Sequence, residues 1–426
     1  MDVASFAQRI SPPSDRRIAV RVTPDAERHI RGGHPWVFES SVVSASPSGA
    51  PGDVAIIFDK NRKFLALGLY DPNSTIRVRV MHRSQGEPLD EAFWSRRIAQ
   101  ALKVRSALVS DERTSAYRVV NGENDGLGSL VIDRYGDQVV MKIYSEALIA
   151  HLPSIVTALG SVIRNRAVVL RFARRVAPAA ERLGLGNGMI ISEHSDLDPV
   201  VEYLENGLKF EADLVHGPKT GAFLDQRENR ALVRRISKSR AVLDVFSSSG
   251  GFTVHAAAGG AVSVHSVDIS PHAIDAVKAN IDRNRELPTV STCRFSYQCD
   301  DAFAALDGLN QRRKRFDLVV VDPPSFAQKQ RNVGAALAAY ERLVELAAPL
   351  VNPGGLLMQA SCSSRVTVGE FHAAIDQGLD RAGVIGELYC DTAHALDHPV
   401  GFPEGAYLKA RTLIIRDPAR PRKGAR

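Results

Sequence analysis

The apolar residues of this chain change their period twice, and those changes divide it into three stretches. From Ile18 to about Met81, short runs such as Asp53–Phe58, Phe64–Tyr70 and Thr75–Val80 are broken by Gly, Pro and Asn. Strands at that spacing predict a small β-barrel over residues 17–84. Between Leu89 and about Leu108, Phe93, Ile98, Leu102, Val104 and Leu108 fall at helical spacing. Strand and turn then alternate through Tyr117–Gly126 and Leu130–Met141, with Asn-Gly, Asp-Gly and Gly-Asp as punctuation. A helix over 146–165 and a strand over Ala167–Phe172 complete an α/β linking domain, 85–195.

The remainder, 196–418, opens with a hairpin pattern (Val200–Leu204, Leu208–Ala212) and continues as alternating strands and helices. Ala241–Phe246, Val262–Val267, 292–298, Phe316–Val321 and Leu356–Ser361, the last following a turn at Asn352-Pro353-Gly354-Gly355, are apolar runs short enough to be strands buried on both faces. Helices are expected over 252–258, over 271–285 with Ser270 as cap and Pro271 at the first helical position, and over 369–382. The last two strands, Val384–Tyr389 and Ala406–Ile415, have no helix between them and should pair antiparallel. The prediction is a Rossmann-like α/β sheet of seven strands, the last antiparallel, preceded by a β-barrel and a linking domain.

Four of these strands end in acids: Asp244, Asp268, the pair Asp300-Asp301, and Asp322. Open α/β sheets bind ligands at the carboxyl ends of their strands. Each acid alone is explained as a helix cap; four together make coincidence unattractive. The turn after the first strand, Ser247-Ser248-Ser249-Gly250-Gly251, is not GxGxxG, and no GxxxxGK[ST] occurs, so a pyrophosphate loop is not supported. A glycine turn beside Asp244 suits a ligand with an amino-acid end, S-adenosylmethionine rather than NAD or ATP. Asp268 is placed for ribose hydroxyls, and Asp301, in preference to Asp300, for an adenine amino group.

Net charge of +6 favours a polyanionic partner. Arg31-Gly32-Gly33-His34-Pro35-Trp36-Val37-Phe38 interleaves cations and aromatics, which suits phosphate contact and base stacking. An equally open reading has Trp36 filling the barrel beside a glycine turn. Arg164, Arg166, Arg171, Arg174 and Arg175 form the densest basic cluster, a solvated face or a phosphate surface. No apolar run approaches membrane-spanning length, and the first 17 residues lack the apolar centre of a signal peptide. Four cysteines without CxxC spacing argue for a reducing, cytoplasmic setting and no structural metal.

The chemistry concentrates at Asp322-Pro323-Pro324-Ser325-Phe326 and Ser361-Cys362-Ser363. Two prolines force the chain out of the sheet directly after Asp322, and Phe326 follows where an aromatic could stack on a base. Cys362 ends the neighbouring strand. A thiolate there could add to C6 of a pyrimidine and make C5 nucleophilic; the bland alternative is a buried small hydrophobe.

The barrel pattern resembles a PUA domain, on Arg31–Phe38 and Gly68–Ser74. With Thr220–Arg227, Asp244–Phe252, Asp300–Phe303, Asp322–Phe326 and Ser361–Ser363 added, most of the chain resembles RlmI-type 23S rRNA 5-methylcytosine methyltransferases, class I enzymes that use S-adenosylmethionine. The resemblance implies cofactor contacts from Thr220, Phe223, Gln226, Asp244, Phe246, Ser247, Gly250, Asp268, Ile269, Asp300, Asp301 and Asp322. It implies Cys362 as nucleophile with Asp322 beside it, and substrate contacts from Pro323, Pro324, Phe326, Arg31 and Trp36. The partner it implies is 23S rRNA, free or in a pre-ribosomal particle, with a homodimer possible and neither membrane nor metal. One departure is Ser247–Ser249, where relatives usually carry bulkier residues beginning with cysteine. Another is the absence of cysteine from the Asp-Pro-Pro motif. Competing readings are N-methylation of an rRNA purine, which needs no thiol, and a non-catalytic RNA-binding assembly factor. The basic tail (Arg416, Arg420, Arg422, Lys423, Arg426) is an RNA tether or a solvated end.

Overall fold

A computed structural model describes residues 1–46, 49–194, 197–327 and 329–416. The basic tail beyond Arg416 lies outside them. Two compact units form: one from residues 1–207, 211–224 and 396–405, the other from 208–210, 225–395 and the described residues from Ala406 onward. Among the described residues, no helix is long and apolar enough to cross a membrane.

Among the described residues, the first unit holds a six-stranded and a five-stranded sheet, besides the strand Val200–Glu205 of the expected hairpin with Leu208–Asp213. Six strands, in the order Trp36–Phe38, Ile76–His82, Phe64–Tyr70, Val54–Phe58, Arg17–Val22 and Val42–Ala45, surround a core of Ile18, Val20, Val37, Ile57 and Val78. Strict alternation in Arg17–Val22 sends Ile18, Val20 and Val22 inward and their neighbours out. Gly68 is required where strands cross closely, because a Cβ there would lie 2.3 Å from the Arg79 carbonyl oxygen. The second sheet, of five strands, runs Met189–Ile191, Ala167–Phe172, Gln138–Ile143, Leu130–Tyr135, Ala116–Asn121. The helix expected over 146–165 begins only at Leu152, after a 3-10 turn over Glu146–His151. Pro153 is the reason: it fits a first helical turn and not an interior one. Residues 396–405 join this unit through Asp397, whose carboxylate accepts from the Arg118 amide (2.8 Å), and Pro399, whose carbonyl accepts from Asn121.

The second unit carries the seven-stranded sheet: β1 (Ala241–Val245), β2 (Ser263–Asp268), β3 (Arg294–Cys299), β4 (Phe316–Val321), β5 (Val351–Ser361), β6 (Ile385–Thr392) and β7 (Lys409–Arg416). The order is β3-β2-β1-β4-β5-β7-β6, parallel from β3 to β5, with β7 antiparallel to both neighbours. This is the Rossmann-like sheet expected from the strand pattern. Helices α1 (Arg227–Ile236), α2 (Gly251–Ala258), α3 (Pro271–Asp282), α4 (Ala302–Gln311), α5 (Val333–Ala347) and α6 (Val368–Ala382) connect or precede its strands.

Local signals set these boundaries. Ser270 caps α3 with Pro271 at its first position, as expected. Thr367 and Glu370 form a reciprocal capping box at α6. Two expectations shift. Residues 288–292 are a short helix, so β3 starts at Arg294. Asn352–Gly355, expected as a turn, lies inside β5 where the β4–β5 register slips, and Gly355 there approaches the Asp317 carbonyl.

Helices α5 and α6 cover the sheet with Tyr340, Leu343, Phe371 and Ile375, all fully buried. Their close approach depends on Gly378: a Cβ there would sit 2.6 Å from the Glu341 carbonyl and 2.7 Å from Val344 Cβ. Gly378→Ala should therefore destabilise the protein by roughly 2 kcal/mol through overpacking, lowering Tm by ~5 °C in thermal unfolding.

Candidate active site

Because β1, β2, β4 and β5 are parallel, their carboxyl ends meet one edge of the sheet, and the sequence-predicted acids and Cys362 are carried there. Register orders the last two. Val321 of β4 pairs with Gln359 of β5, so Asp322 and Cys362 leave adjacent strand tips. Cys362 Sγ lies 3.9 Å from the Pro323 carbonyl oxygen and is half-buried. Pro323 is buried and Pro324 exposed. The Phe326 ring packs 5.3 Å from that of Tyr340, against the core below the strand tips.

Asp322 is oriented by a relay of hydrogen bonds. Thr392 Oγ1 donates to Asn229 Oδ1 (2.5 Å), Asn229 Nδ2 to Gln226 Oε1 (2.5 Å), and Gln226 Nε2 to Asp322 Oδ1 (2.7 Å). Each amide accepts through oxygen and donates through nitrogen, so the relay has one sense. Gln226 was predicted at the site; Asn229 was not. Its only sequence signal is a polar residue two past Arg227 on what proves to be the buried side of α1.

Asp244 is fully buried one residue before the end of β1. Thr253 Oγ1 of α2 donates to its Oδ2 (2.6 Å), while Oδ1 has no hydrogen-bond partner among the described residues. Burial, with Asp268 adding a like charge, raises its carboxyl pKa to about 6 against the Thr253 hydrogen bonds. The following turn holds Phe246 (φ 64°) and Ser248 (φ 49°) in the left-handed region, beside Gly250 (φ 81°). Non-glycine residues there carry backbone strain that clusters at ligand sites, a signal no residue pattern discloses. Ser247 is buried and its hydroxyl also lacks a partner among the described residues.

At the tip of β2, Asp268 accepts from the Ser248 amide through Oδ2 and the Ser270 amide through Oδ1, both at 2.9 Å. Ile269 beside it is 69% exposed, an apolar side chain left in solvent at the rim. Asp301 caps α4, its Oδ1 accepting from Phe303 and Ala304 amides. Asp300 accepts from the Asp301 amide and from Gln298.

Several predicted residues belong to the first unit. Thr220 is buried and donates to Asp133 Oδ2 (2.5 Å), an acid also held by Arg118 Nε (2.8 Å). Phe223 lies under Lys219 Nζ at 4.6 Å. Arg31 is paired with Glu27 (3.0 Å) and Asp59 (3.1 Å). Trp36 does not fill the six-stranded core; Val37 does, because alternate residues of a strand face opposite ways. Its indole Nε1 donates to Glu123 Oε1 (2.9 Å), and its ring meets Phe402 at 4.9 Å. Arg171 spends two donors on the Leu214 and Gly217 carbonyls, a packing role rather than a free phosphate contact.

Residues 20–83 match the PUA-like domain family, and residues 156–374 match the S-adenosylmethionine-dependent methyltransferase family. A protein of Deinococcus radiodurans named ribosomal RNA large subunit methyltransferase is 42% identical over 92% of this chain and 96% of its own length. Ribosomal RNA large subunit methyltransferase I of Escherichia coli O139:H28 is 34% identical over 90% of this chain and 96% of its own. A solved structure from Streptococcus mutans, described as a candidate SAM-dependent methyltransferase, superposes with TM-score 0.78 at 21% identity, over 93% of this chain and 99% of that one. Another, described as complexed with SAH, gives TM-score 0.78 at 20% identity, over 93% of this chain and 99% of that one. These structural likenesses concern the fold.

The β1 turn fits S-adenosylmethionine: Asp244 Oδ1 and the Ser247 hydroxyl are buried without a partner among the described residues, the backbone is bent into a cradle, and apolar Ile269 is exposed at the tip of β2. Asp244 carries the cost of that fit. Its folded pKa of about 6 exceeds the unfolded 3.8, so the native state binds more protons between those values. Stability is therefore lost as pH rises through that window, by an upper bound of ~3 kcal/mol. Asp244→Asn should raise Tm at pH 8, less so at pH 5, while weakening cofactor binding measured by equilibrium dialysis.

Proposed function

The chain belongs to the family of ribosomal RNA large subunit methyltransferase I, S-adenosylmethionine-dependent enzymes with a PUA-like domain, and from that premise we propose that it methylates C5 of a cytosine in 23S rRNA through a covalent adduct with Cys362. The observation that carries this reading is the thiol of Cys362 beside the Pro323 carbonyl, at the edge of the sheet where Asp322 and Asp244 also stand. A thiol is superfluous for methylating an exocyclic amine, so its position favours pyrimidine C5 over a purine nitrogen.

The cofactor supplies an electrophilic methyl group on a sulfonium. Asp244 and Ser247 are suited to its amino-acid end, Phe246 and the Gly250 turn to close backbone approach, Asp268 to the ribose hydroxyls, and Ile269 with Asp300 or Asp301 to the adenine. Thr220 and Phe223 belong to this reading through family likeness. Cys362 adds as thiolate to cytosine C6, which makes C5 enamine-like; after methyl transfer a base takes the C5 proton and the Sγ–C6 bond breaks. Asp322, held by Gln226, is aligned to bond the polar edge of the base, with Pro323, Pro324 and Phe326 shaping the loop around it. Arg31 and Trp36 are proposed to meet RNA.

Cys362→Ala should lower methyl transfer to total RNA by roughly 10³-fold or more, with cofactor affinity by dialysis nearly unchanged. Nucleoside analysis of the wild-type product should give 5-methylcytidine. Undiminished turnover in the variant removes the covalent step, and a methylated purine product replaces this reading with N-methylation.

A further inference from the structure

Lys409, the first residue of β7, stands directly opposite Ser361, which precedes Cys362 in the chain. It is 5% exposed, an unusual place for a lysine. Its Nζ donates to the Ser363 and Val366 carbonyls, each at 2.6 Å, and to the Tyr407 carbonyl at 3.3 Å. Three acceptors match the three protons of an ammonium; a neutral amine would leave one carbonyl unserved. Two of the three belong to the turn that follows Cys362. Carbonyls carry no net charge, so among the described residues this buried cation has no bonded counter-ion.

The groups whose charge bears on Lys409 are Cys362 and Glu370, and both favour its protonated form. Glu370 is exposed and occupied by Thr367 in the α6 capping box. On the other side stands Tyr340, which feels the charges of both Cys362 and Asp322. Tyr340 is held neutral, its pKa raised to about 12 chiefly by burial, and the Asp322 carboxylate would oppose a second negative charge nearby. A thiolate at Cys362 therefore has Lys409 as an opposing cation.

We propose that Lys409 is a positioning residue with two tasks: it ties down the turn after Cys362 and serves as the counter-cation that keeps that thiol ionised near neutral pH. The proposal rests on the reading of Cys362 as nucleophile. Desolvation lowers the Lys409 pKa to about 8, so the cation is present at neutral pH and fades above it.

The test is the pH dependence of Cys362 alkylation by iodoacetamide in the full chain without RNA, followed by mass spectrometry of the peptide that carries it. Exposed Cys299 serves as internal reference. In the wild type, the alkylation midpoint of Cys362 should fall about one pH unit below that of Cys299. Lys409→Met should raise the midpoint of Cys362 by about one unit, a tenfold slower reaction at pH 7, with the high-pH plateau unchanged; Lys409→Arg should restore much of the shift. An unshifted midpoint in Lys409→Met, or a change confined to the plateau, reduces Lys409 to a structural clamp. Should that variant not fold, the wild-type profile still decides, since a Cys362 midpoint at or above that of Cys299 overturns the proposal. Alkylation reads ionisation without substrate, so its outcome is separable from loss of methyl transfer in Cys362→Ala.

Discussion

Everything at the candidate site depends on parallel pairing of β1, β4 and β5 inside a sheet covered by helices. Val242–Val245 pair in step with Leu318–Val321, and those with Leu356–Gln359. Strands buried on both faces favour charged groups at or near their tips, where polar side chains most readily find partners. The acids and the thiol are therefore brought to one edge by the same burial that stabilises the fold.

Polar groups at that edge are managed in two ways. Asp322 is satisfied in advance by the Thr392–Asn229–Gln226 relay, which fixes its direction before any ligand arrives. Asp244 is left partly unsatisfied, with one oxygen bonded to Thr253 and the other awaiting a partner. The first arrangement suits a group that must point accurately. The second leaves a buried acceptor able to take one further hydrogen bond, at a cost to folding stability.

Strand identities were legible because apolar runs ended in Asp, Pro or Gly: Phe316–Val321 before Asp322-Pro323-Pro324 is the clearest instance, and β4 has those bounds. The antiparallel last pair followed from the missing helix between its strands. The helix over 146–165 and the turn at Asn352 were misread because Pro153 and Gly354-Gly355 have more than one permissible setting, and packing selects among them. Trp36 was undecidable for a similar reason. Shifting a strand by one residue exchanges its faces, and the pairing Val37↔Val78 puts Val37 inside.

Sequence alone determined the doubly wound sheet and the order of acids at the carboxyl ends of its strands, because burial period and chain-breaking residues act locally. It could not decide what lies opposite what. That Lys409 faces Ser361 across nearly fifty residues of chain, that Asn229 steadies Asp322 through Gln226, and that Phe246 and Ser248 are bent into left-handed turns were settled by tertiary structure. Sheet register and desolvation are properties of several segments packed at once, and no single stretch of sequence carries them.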